Sequence, residues 1–286
     1  MRRQLWVCAG ALLAVSSAFA AVKQFKPGWN LFSTDQDLQL GKEMAAKVQD
    51  QYEVVDDPEI QAYIDRIGKA LATQPQAGKF PYTFKVVKDP SINAFALPGG
   101  PTFVNTGLIK AADSESQLVG VMAHEISHCA LRHGTNQASK ANLLQLPAAL
   151  AGAVAGGTLM GQLAQAGIGL GLNSVVLKFS RSAESEADLN GAQMMAGAGY
   201  NPLDLAHFFE KLQAQGGDKT MQFFSDHPNP GNRMKAIQDQ LQQMPQKSYT
   251  ANTRQFNWIQ GKVNALPPPK KLPQPAQVAQ PQQQSK

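Results

Sequence analysis

The sequence predicts a mainly helical α+β fold with one small β-sheet. Apolar residues recur at three- and four-residue spacing in several long segments, which is typical of helices that pack on a core. Alternating and β-branched residues are concentrated at residues 82–106, which predicts a few short strands there. The 286 residues are enough for one large domain or two small ones.

The N-terminal residues are typical of a secretory signal. Arg2 and Arg3 precede an apolar run at residues 5–15, and Ala18-Phe19-Ala20 fits a small-x-small cleavage site. These features predict a cleaved signal peptide over residues 1–20. A membrane anchor is the alternative, but the apolar run is short for a membrane span.

The excess of positive charge lies at the two ends of the chain. Taking the eight terminal Lys and Arg from the total of 26 leaves 18, against 21 Asp and Glu. The middle of the chain is therefore slightly acidic, which argues against a nucleic-acid partner. The eight cations are Arg2, Arg3, Lys247, Arg254, Lys262, Lys270, Lys271 and Lys286.

The C-terminal residues predict a tail. Residues 244–286 contain no Asp or Glu, and residues 270–286 are rich in Pro and Gln with little apolar content. We therefore expect a single domain over residues 21–243, followed by a basic and largely disordered tail over 244–286.

Two helices are predicted at the start of the domain. Apolar residues at helical spacing indicate the first over Gln36–Tyr52. The second is predicted over Pro58–Ala72, because Asp57 fits its N-cap and Pro58 its first position.

A small β region is predicted next. Residues 82–87 alternate in the manner of a strand, and two further strands are predicted at 93–97 and 102–106. Pro98-Gly99-Gly100-Pro101 joins the last two as a hairpin. The prolines favour short strands at an edge.

A helix over Ser114–His133 is the strongest helical prediction. Ser114 and Gln117 fit a capping box, and Gly134 fits the C-terminal cap. Further helices are predicted over 182–198, 202–213 and 232–243, the second capped by Asn201.

Residues 141–177 contain no charged residue and are rich in Ala and Gly. Pro147 and seven glycines argue against a simple transmembrane helix. The segment is interpreted as buried or loosely packed helix. The alternative is a mobile element that touches a membrane or covers a site.

His124-Glu125-Ile126-Ser127-His128 is the motif from which function is argued. His124 and His128 are one turn apart, so both imidazoles project from the same helix face and suit one Zn²⁺. Glu125 points about 100° away and can act as general base toward a water that the metal activates. The alternative is a pair of surface histidines, which the apolar surroundings argue against.

A catalytic zinc site needs a third protein ligand. A histidine six residues after the motif is excluded, because that position holds Gly134. Glu184 and Asp188 lie one turn apart in a later predicted helix, so Glu184 can bind the metal and Asp188 can accept the outer N–H of a ligand histidine. Glu186 is the second choice of ligand. The alternative is an acidic helix start favoured by the helix dipole.

The two motifs together resemble those of the zinc metallopeptidases of metallopeptidase family forty-eight. That family includes HtpX, the CAAX prenyl proteases and the periplasmic proteases BepA and LoiP. Its signature is His-Glu-x-x-His followed by Ser-Arg-x-x-Glu-x-x-Ala-Asp, which this chain carries at 124–128 and 180–188. The resemblance covers residues 36–243 and implies that Glu184 is the third ligand.

A further block, His227-Pro228 followed by Arg233-Met234, resembles the family's His-Pro-x-x-x-x-Arg-Ile block. The resemblance implies that His227 lies near the metal, where it stabilises the oxyanion or gates access, and it places Arg233 with Asp188 around the ligands. From the residues alone, His227 can donate to a developing negative charge. The alternative is a loop histidine that caps the following helix.

Asn93, Ala94, Phe95 and Ala96 begin a segment that resembles the family's active-site edge strand. An extended substrate can add to such an edge through backbone hydrogen bonds, which gives sequence-tolerant binding. The alternative is a hairpin with a purely structural role.

The remaining histidines and Cys129 are assigned no chemistry. His133 is interpreted as a surface residue off the ligand face, and His207 as a packing residue. Cys129 is interpreted as a core residue rather than a nucleophile. It is the one cysteine left after signal cleavage, so no internal disulfide is expected.

The resemblance implies a zincin-like fold, one Zn²⁺ per chain and zinc metalloendopeptidase activity. Its ligands are then His124, His128 and Glu184, and its catalytic residues Glu125 and His227. It also implies a periplasmic enzyme that cuts misfolded or unassembled envelope proteins. The expected partners are protein or peptide substrates, with peripheral contact to a membrane or to outer-membrane assembly machinery.

Two other function classes stay open at this stage. One is a chaperone-like protein whose groove binds extended chains and whose proteolysis is weak or gated. The other is a structural zinc protein, which requires a closed site with four ligands.

Overall fold

The computed structural model describes residues 22–140, 179–217, 223–225, 227–228, 231–245 and 247–270. The predicted signal peptide and the charge-free segment at 141–177 lie outside these residues. In the described residues no helix combines the length and the apolar content that crossing a bilayer requires.

The architecture is mainly helical with one three-stranded sheet, so the predicted fold class is confirmed. The strands are β1 (Thr83–Val87), β2 (Ala94–Ala96) and β3 (Pro101–Asn105). The named helices are α1 (Thr34–Gln51), α2 (Pro58–Ala72), α3 (Thr106–Ala111), α4 (Glu115–Ala130), α5 (Arg181–Ala198), α6 (Leu203–Gln215), α7 (Arg233–Leu241) and α8 (Arg254–Asn264).

Helix α2 begins and ends at the predicted residues because its N-terminus is specified locally. Asp57 accepts hydrogen bonds from the backbone N–H groups of Glu59 and Ile60, and Pro58 fills the first position. Ile60, Ile64 and other apolar residues on one face of α2 are buried in the main core.

The sheet has the strand order β1-β3-β2. β3 pairs in parallel with β1 and antiparallel with β2, so the predicted hairpin is present. Gly99 has a φ of 78° in the connecting turn, a conformation that glycine adopts without strain. β2 therefore lies at an edge, and no strand pairs with its outer side among the residues that the structure describes.

Helix α4 runs through the centre of the domain, and all its residues except Gln117 are buried. Ser114 caps its N-terminus by accepting a hydrogen bond from the backbone N–H of Gln117. The Gln117 side chain accepts from Asp113 instead of completing the predicted capping box. The helix is buried on all sides because α2, α5, α6 and β2 all pack against it.

The C-terminus of α4 differs from the prediction. The helix ends at Ala130 rather than at residue 133, and Gly134 is not its cap. Arg132 stops it by adopting a left-handed conformation, with φ of 56°. The Arg132 guanidinium binds the buried carboxylate of Asp37 and the carbonyl of Phe32, and these contacts hold the turn.

Close contact between α4 and α5 depends on a glycine. A Cβ atom at Gly191 would lie 3.2 Å from the backbone of Ala123 and His124, so a larger residue would push the helices apart. Gly191 is one turn after Asp188 and two turns after Glu184, and all three face α4. The close approach therefore brings the acidic residues of α5 to the histidines of α4.

Glu115 anchors the N-terminus of α4 to neighbouring elements. Its buried carboxylate accepts hydrogen bonds from Tyr63 at 3.0 Å, from Tyr200 at 2.6 Å and from Thr253, and Arg66 lies 3.5 Å away. Burial and the nearby carboxylate raise the pKa of Tyr200 to about 12, so both tyrosines stay protonated donors. The cluster ties α2 and the residues before α8 to the start of α4.

The predicted tail is wrong for residues 254–264, which form helix α8. Phe256, Ile259 and Val263 are buried in the main core beside α2 and α3. Lys262 binds Asp57 and Glu59 at 2.8 Å each, at the N-terminus of α2. These contacts make residues beyond 243 part of the packed structure.

Phe256→Ala should lower the free energy of unfolding by about 3–5 kcal/mol, because the change leaves a cavity under α8. Trp258→Ala on the same helix is the control and should cost less than about 1 kcal/mol, since this ring is 64% exposed. Urea unfolding followed by circular dichroism measures both. Equal and small effects would mean that α8 does not pack on the core.

Candidate metal centre

Helix α4 presents two histidines side by side. His124 and His128 are buried, and their Nε2 atoms are 3.0 Å apart. Each belongs to the same face of the helix, as the four-residue spacing requires. The two nitrogens therefore point at one small volume between α4 and α5.

Glu184 of α5 reaches the same volume from the other side. Its Oε2 lies 3.4 Å from His124 Nε2, and its Oε1 lies 3.4 Å from His128 Nε2. Ser180 caps α5 by accepting a hydrogen bond from Ala183, which places Glu184 in the first turn of the helix. The carboxylate is fully buried.

His227 brings a third imidazole. Its Nδ1 is 3.3 Å from His124 Nε2 and 3.3 Å from Glu184 Oε1, and its Nε2 is 3.5 Å from Glu125 Oε1. The sequence placed this residue near the metal, as an oxyanion donor or a gate. In the structure its Nδ1 lies among the ligand atoms themselves.

The four side chains fit a metal ion. One nitrogen or oxygen from each of His124, His128, Glu184 and His227 lies within 4.8 Å of the others. Zinc bonds of about 2.0–2.2 Å place ligands about 3.3–3.6 Å apart at the corners of a tetrahedron. The distances from His124 Nε2 to His227 Nδ1 and from the Glu184 oxygens to the three histidines are 3.3–3.4 Å, within that range, and the two α4 histidines are slightly closer at 3.0 Å.

Hydrogen bonding alone does not satisfy this cluster. Glu184 Oε1 is buried and accepts no well-directed hydrogen bond, although two imidazole nitrogens are within 3.4 Å of it. Atoms that are close without hydrogen-bond geometry, all aimed at one point, are typical of ligands that share a cation. Three imidazoles and one carboxylate are a donor set that suits zinc.

The electrostatics of the cluster couple its members. Burial alone would lower the pKa of His124, but its hydrogen bond to Asp188 and the adjacent Glu184 carboxylate outweigh burial and raise the pKa to about 10. Burial lowers the pKa of His128 well below its usual value. Burial acts to raise the pKa of Glu184, yet its contacts with three histidines hold that pKa far below its usual range. Glu184 is therefore an anion that needs buried positive charge beside it.

Glu125 lies next to the ligand atoms without joining them. It is buried, and the backbone of Ala96 in β2 makes a hydrogen bond to it. Burial raises the pKa of Glu125 above its usual value, while the charges of His227 and His124 act in the opposite direction. A carboxylate with a raised pKa is a stronger base near neutral pH. It stands where it can exchange a proton with a molecule between the ligands and β2.

The residues predicted to surround the ligands lie behind His124. Asp188 Oδ1 is 3.0 Å from His124 Nδ1, the nitrogen that faces away from the cluster. The Arg233 guanidinium contacts Asp188 at 2.7 Å and Glu184 at 3.4 Å, and its centre lies 4.0 Å from the Phe209 ring centroid. Arg233 thereby neutralises part of the buried acidic charge.

The structure corrects the expectation for His133, which is buried rather than on the surface. Its Nδ1 is 3.0 Å from His128 Nδ1, and its Nε2 is 3.3 Å from Glu186 Oε2. Glu186, the second choice of ligand, does not reach the cluster. The sequence gives no local signal for these contacts, because the turn at Arg132 redirects the chain after α4.

His207 and Cys129 were also assigned roles. His207 lies at the surface of α6 beside Asp204, at 3.3 Å, so the expectation of a packing residue is wrong. Cys129 is buried, so its assignment to the core is confirmed.

A cavity of about 110 Å³ opens from the ligands toward α1. Its walls are mostly apolar, and β2 forms one side. Of the four edge-strand residues predicted from the sequence, Asn93, Phe95 and Ala96 line the cavity, whereas Ala94 is buried in the core. Further lining residues include Leu40, Met44, Tyr52, Leu97, Glu125, His128, Phe179 and His227.

Comparison with known proteins places this arrangement in a family. The model of peptidase family M48 matches residues 58–241, which include all four ligand candidates and Glu125. The chain belongs to peptidase family M48. The predicted family is thereby confirmed, and so is the metalloendopeptidase class at the level of the family. A metal ion at the His-His-Glu-His cluster is consistent with that class.

The curated relatives are proteases from bacteria and eukaryotes. The beta-barrel assembly-enhancing protease of Escherichia coli is 30% identical over 74% of this chain and 45% of its own length. The mitochondrial metalloendopeptidase OMA1 of Schizosaccharomyces pombe is 30% identical over 68% of this chain and 57% of its own. Metalloprotease LoiP of E. coli is 32% identical over 56% and 63%. The chain spans about half the length of the first of these relatives.

Asp188→Asn should weaken zinc binding about 10- to 100-fold, because His124 loses the anionic acceptor that orients it. Competition with a chromogenic chelator measures the dissociation constant. Asp204→Asn is the control, since this residue contacts a surface histidine away from the cluster. Unchanged zinc affinity in Asp188→Asn would contradict the assignment.

Cys129 should resist alkylation in the folded chain. Burial raises its pKa to about 12, so at pH 8 only about one thiol in ten thousand is ionised. Iodoacetamide should modify a chain without residues 1–20 at least about 100-fold more slowly when folded than in urea. The folded rate should stay low as the pH rises from 7 to 10, because the thiolate forms only near pH 12. Rapid labelling at pH 8 would show that the thiol is accessible.

Proposed function

We propose that this chain is a zinc-dependent endopeptidase that cuts extended segments of protein chains. The observation that carries the proposal is the position of Glu125, which lies between the His-His-Glu-His cluster and the edge strand β2. A purely structural metal site does not require a buried, non-ligand carboxylate with a raised pKa, whereas a hydrolytic site requires one as a general base.

Each residue of the site has a different role in the proposed hydrolysis. Bound zinc, one ion per chain held by His124, His128 and Glu184, would supply Lewis-acid chemistry and lower the pKa of water. Glu125 takes a proton from the attacking water and later delivers it to the leaving amine. His227 Nε2, on the cleft side near Glu125, is placed to donate to negative charge on the scissile carbonyl oxygen.

Strand β2 supplies the binding surface for substrate. Among the described residues no strand pairs with its outer side, so an extended chain can add there as a further strand. The cavity beside it is lined mostly by apolar side chains, which favours substrates that expose hydrophobic residues. Binding through backbone groups accepts many sequences and requires that the bound segment be unfolded.

The names of the relatives support an envelope setting. A bacterial relative is named for enhancing beta-barrel assembly, and the N-terminal residues are typical of a secretory signal. We therefore propose a periplasmic enzyme that removes misfolded or unassembled envelope proteins. Peripheral contact with a membrane or with outer-membrane assembly machinery is part of this proposal.

A gated protease that mainly binds its targets is the second candidate, and the position of His227 favours it. With His227 Nδ1 among the ligand atoms, four protein groups surround the metal position. In this candidate His227 Nδ1 stays on the metal and fills the position that a catalytic site keeps for water. In a chain where it rarely withdraws, the cleft would hold extended chains without cutting them.

The test is cleavage of an unfolded protein by the wild-type chain and by Glu125→Gln at equal zinc content. The variant should lose cleavage by at least about 100-fold, because it removes the base and keeps all ligands. Gel electrophoresis measures cleavage, and atomic absorption measures zinc. Cleavage by both proteins at the same rate would reject Glu125 as the base. If neither protein cuts while each holds one zinc and binds the unfolded protein, the gated candidate is favoured.

A further inference from the structure

A second chain of hydrogen bonds lies behind the metal cluster, on the side of His128. We propose that His133, held by Glu186, is the positioning residue of His128 and fixes the direction in which its Nε2 faces the metal. The proposal rests on the metal site of the proposed function but not on hydrolysis. Neither residue is a ligand, and both act through His128.

The hydrogen positions of this chain follow from its outer end. The Glu186 carboxylate can only accept, so His133 Nε2, 3.3 Å away, must carry the hydrogen and donate it. In neutral His133 the Nδ1 atom is then an acceptor. His128 Nδ1, 3.0 Å from it, must therefore be the donor.

This order of donors leaves His128 with one free lone pair, on Nε2. That atom is the one that faces His124 and Glu184 in the cluster. In the opposite tautomer of His128, its Nδ1 would be an acceptor, so His133 Nδ1 would have to carry the hydrogen. His133 Nε2 would then have no hydrogen, and its lone pair would face the Glu186 carboxylate, which is repulsive. Glu186 thus selects the metal-binding tautomer of a histidine that it does not touch.

Packing fixes the ring of His133 in this role. The side chain is buried, with its centroid 5.0 Å from that of His128 at an angle of 74°. Phe179 stacks on the ring face of His128, with centroids 4.0 Å apart and an angle of 25°. His128 is therefore confined by one ring on its face and by one hydrogen bond at its edge.

Helix geometry explains why a histidine is needed as a spacer. Glu186 is two residues from both Glu184 and Asp188, which turns it about 200° away from their shared face. Its carboxylate is 43% exposed and cannot reach His128 directly. His133 bridges that gap, so a single helix, α5, supplies the acceptor behind both ligand histidines of α4. Asp188 serves His124 directly, and Glu186 serves His128 through His133.

The experiment compares two substitutions at position 133 by their zinc dissociation constants, measured by competition with a chelator. His133→Phe keeps an aromatic ring in the buried site and removes both nitrogens. His133→Asn loses packing but places an amide oxygen near the position of Nδ1, where it can accept from His128. We expect a loss of about 10- to 100-fold in affinity for the Phe variant and a clearly smaller loss for the Asn variant.

The order of the two zinc affinities distinguishes a positioning role of His133 from a packing role. If His133 only filled space, the Phe variant would bind zinc better than the Asn variant, and that result would overturn the proposal. Wild-type affinity in the Phe variant would overturn it as well.

Glu186→Gln, at a partly exposed position, keeps an acceptor oxygen without the charge. It should lower affinity by a few-fold, and it keeps the test open if the Phe variant does not fold. Wild-type affinity in that variant would then count against the proposal.

His207→Phe is the matched control, because this histidine lies at the surface of α6, where it contacts Asp204. Its zinc affinity should equal that of the wild type. The outcome is separable from the proposed activity. A wild-type chain that binds zinc but cuts nothing would count against the active protease and favour the gated candidate, while the order of affinities would still support His133. A wild-type chain that binds no zinc would overturn both.

Discussion

The close approach of α5 to α4 determines where the charged groups of the site lie. Gly191 permits it, since any side chain there would meet the backbone of Ala123 and His124. At this distance Glu184 reaches two histidines and Asp188 reaches the outer nitrogen of one. Three imidazoles, several carboxylates and a guanidinium are thereby buried together. Such a cluster is tolerated only when every charge has a partner within contact distance.

The two histidines of α4 are supported differently. Behind His124 stands a carboxylate that Arg233 neutralises, so this side is buried and electrically balanced. Behind His128 stands the His133 ring, whose own acceptor, Glu186, is partly in solvent. The first arrangement is fixed deep in the core. The second connects the site to the protein surface through one side chain.

The sequence predicts best what local chemistry determines. The bounds of α2 follow from Asp57 and Pro58, and the edge position of β2 follows from the proline-flanked turn. The spacing of the candidate ligands within α4 and α5 is likewise a property of single helices. In contrast, the end of α4 depends on an ion pair between Arg132 and Asp37, which are 95 residues apart. The residues next to Arg132 in the sequence do not indicate this ion pair, so the predicted surface position of His133 was wrong as well.

The failure to predict the C-terminal helix α8 is a different kind of error. Phe256, Ile259 and Val263 have helical spacing, but most of the surrounding residues are polar and none is acidic, which obscured the pattern. Three apolar residues are enough here because the core already offers a surface next to α2 and α3. Tertiary contacts, rather than local propensity, decide whether such a weak helix forms.

If targets bind along β2 as proposed, the shortness of this strand has a consequence for selection among them. Three residues that pair through their backbone cannot distinguish one amino-acid sequence from another. Discrimination then falls to the target itself. A natively folded protein keeps its backbone groups in its own hydrogen bonds, and opening it costs about 5–15 kcal/mol for a whole domain. An enzyme of this kind would be exposed to every protein in its compartment and would still act in proportion to the time each one spends unfolded.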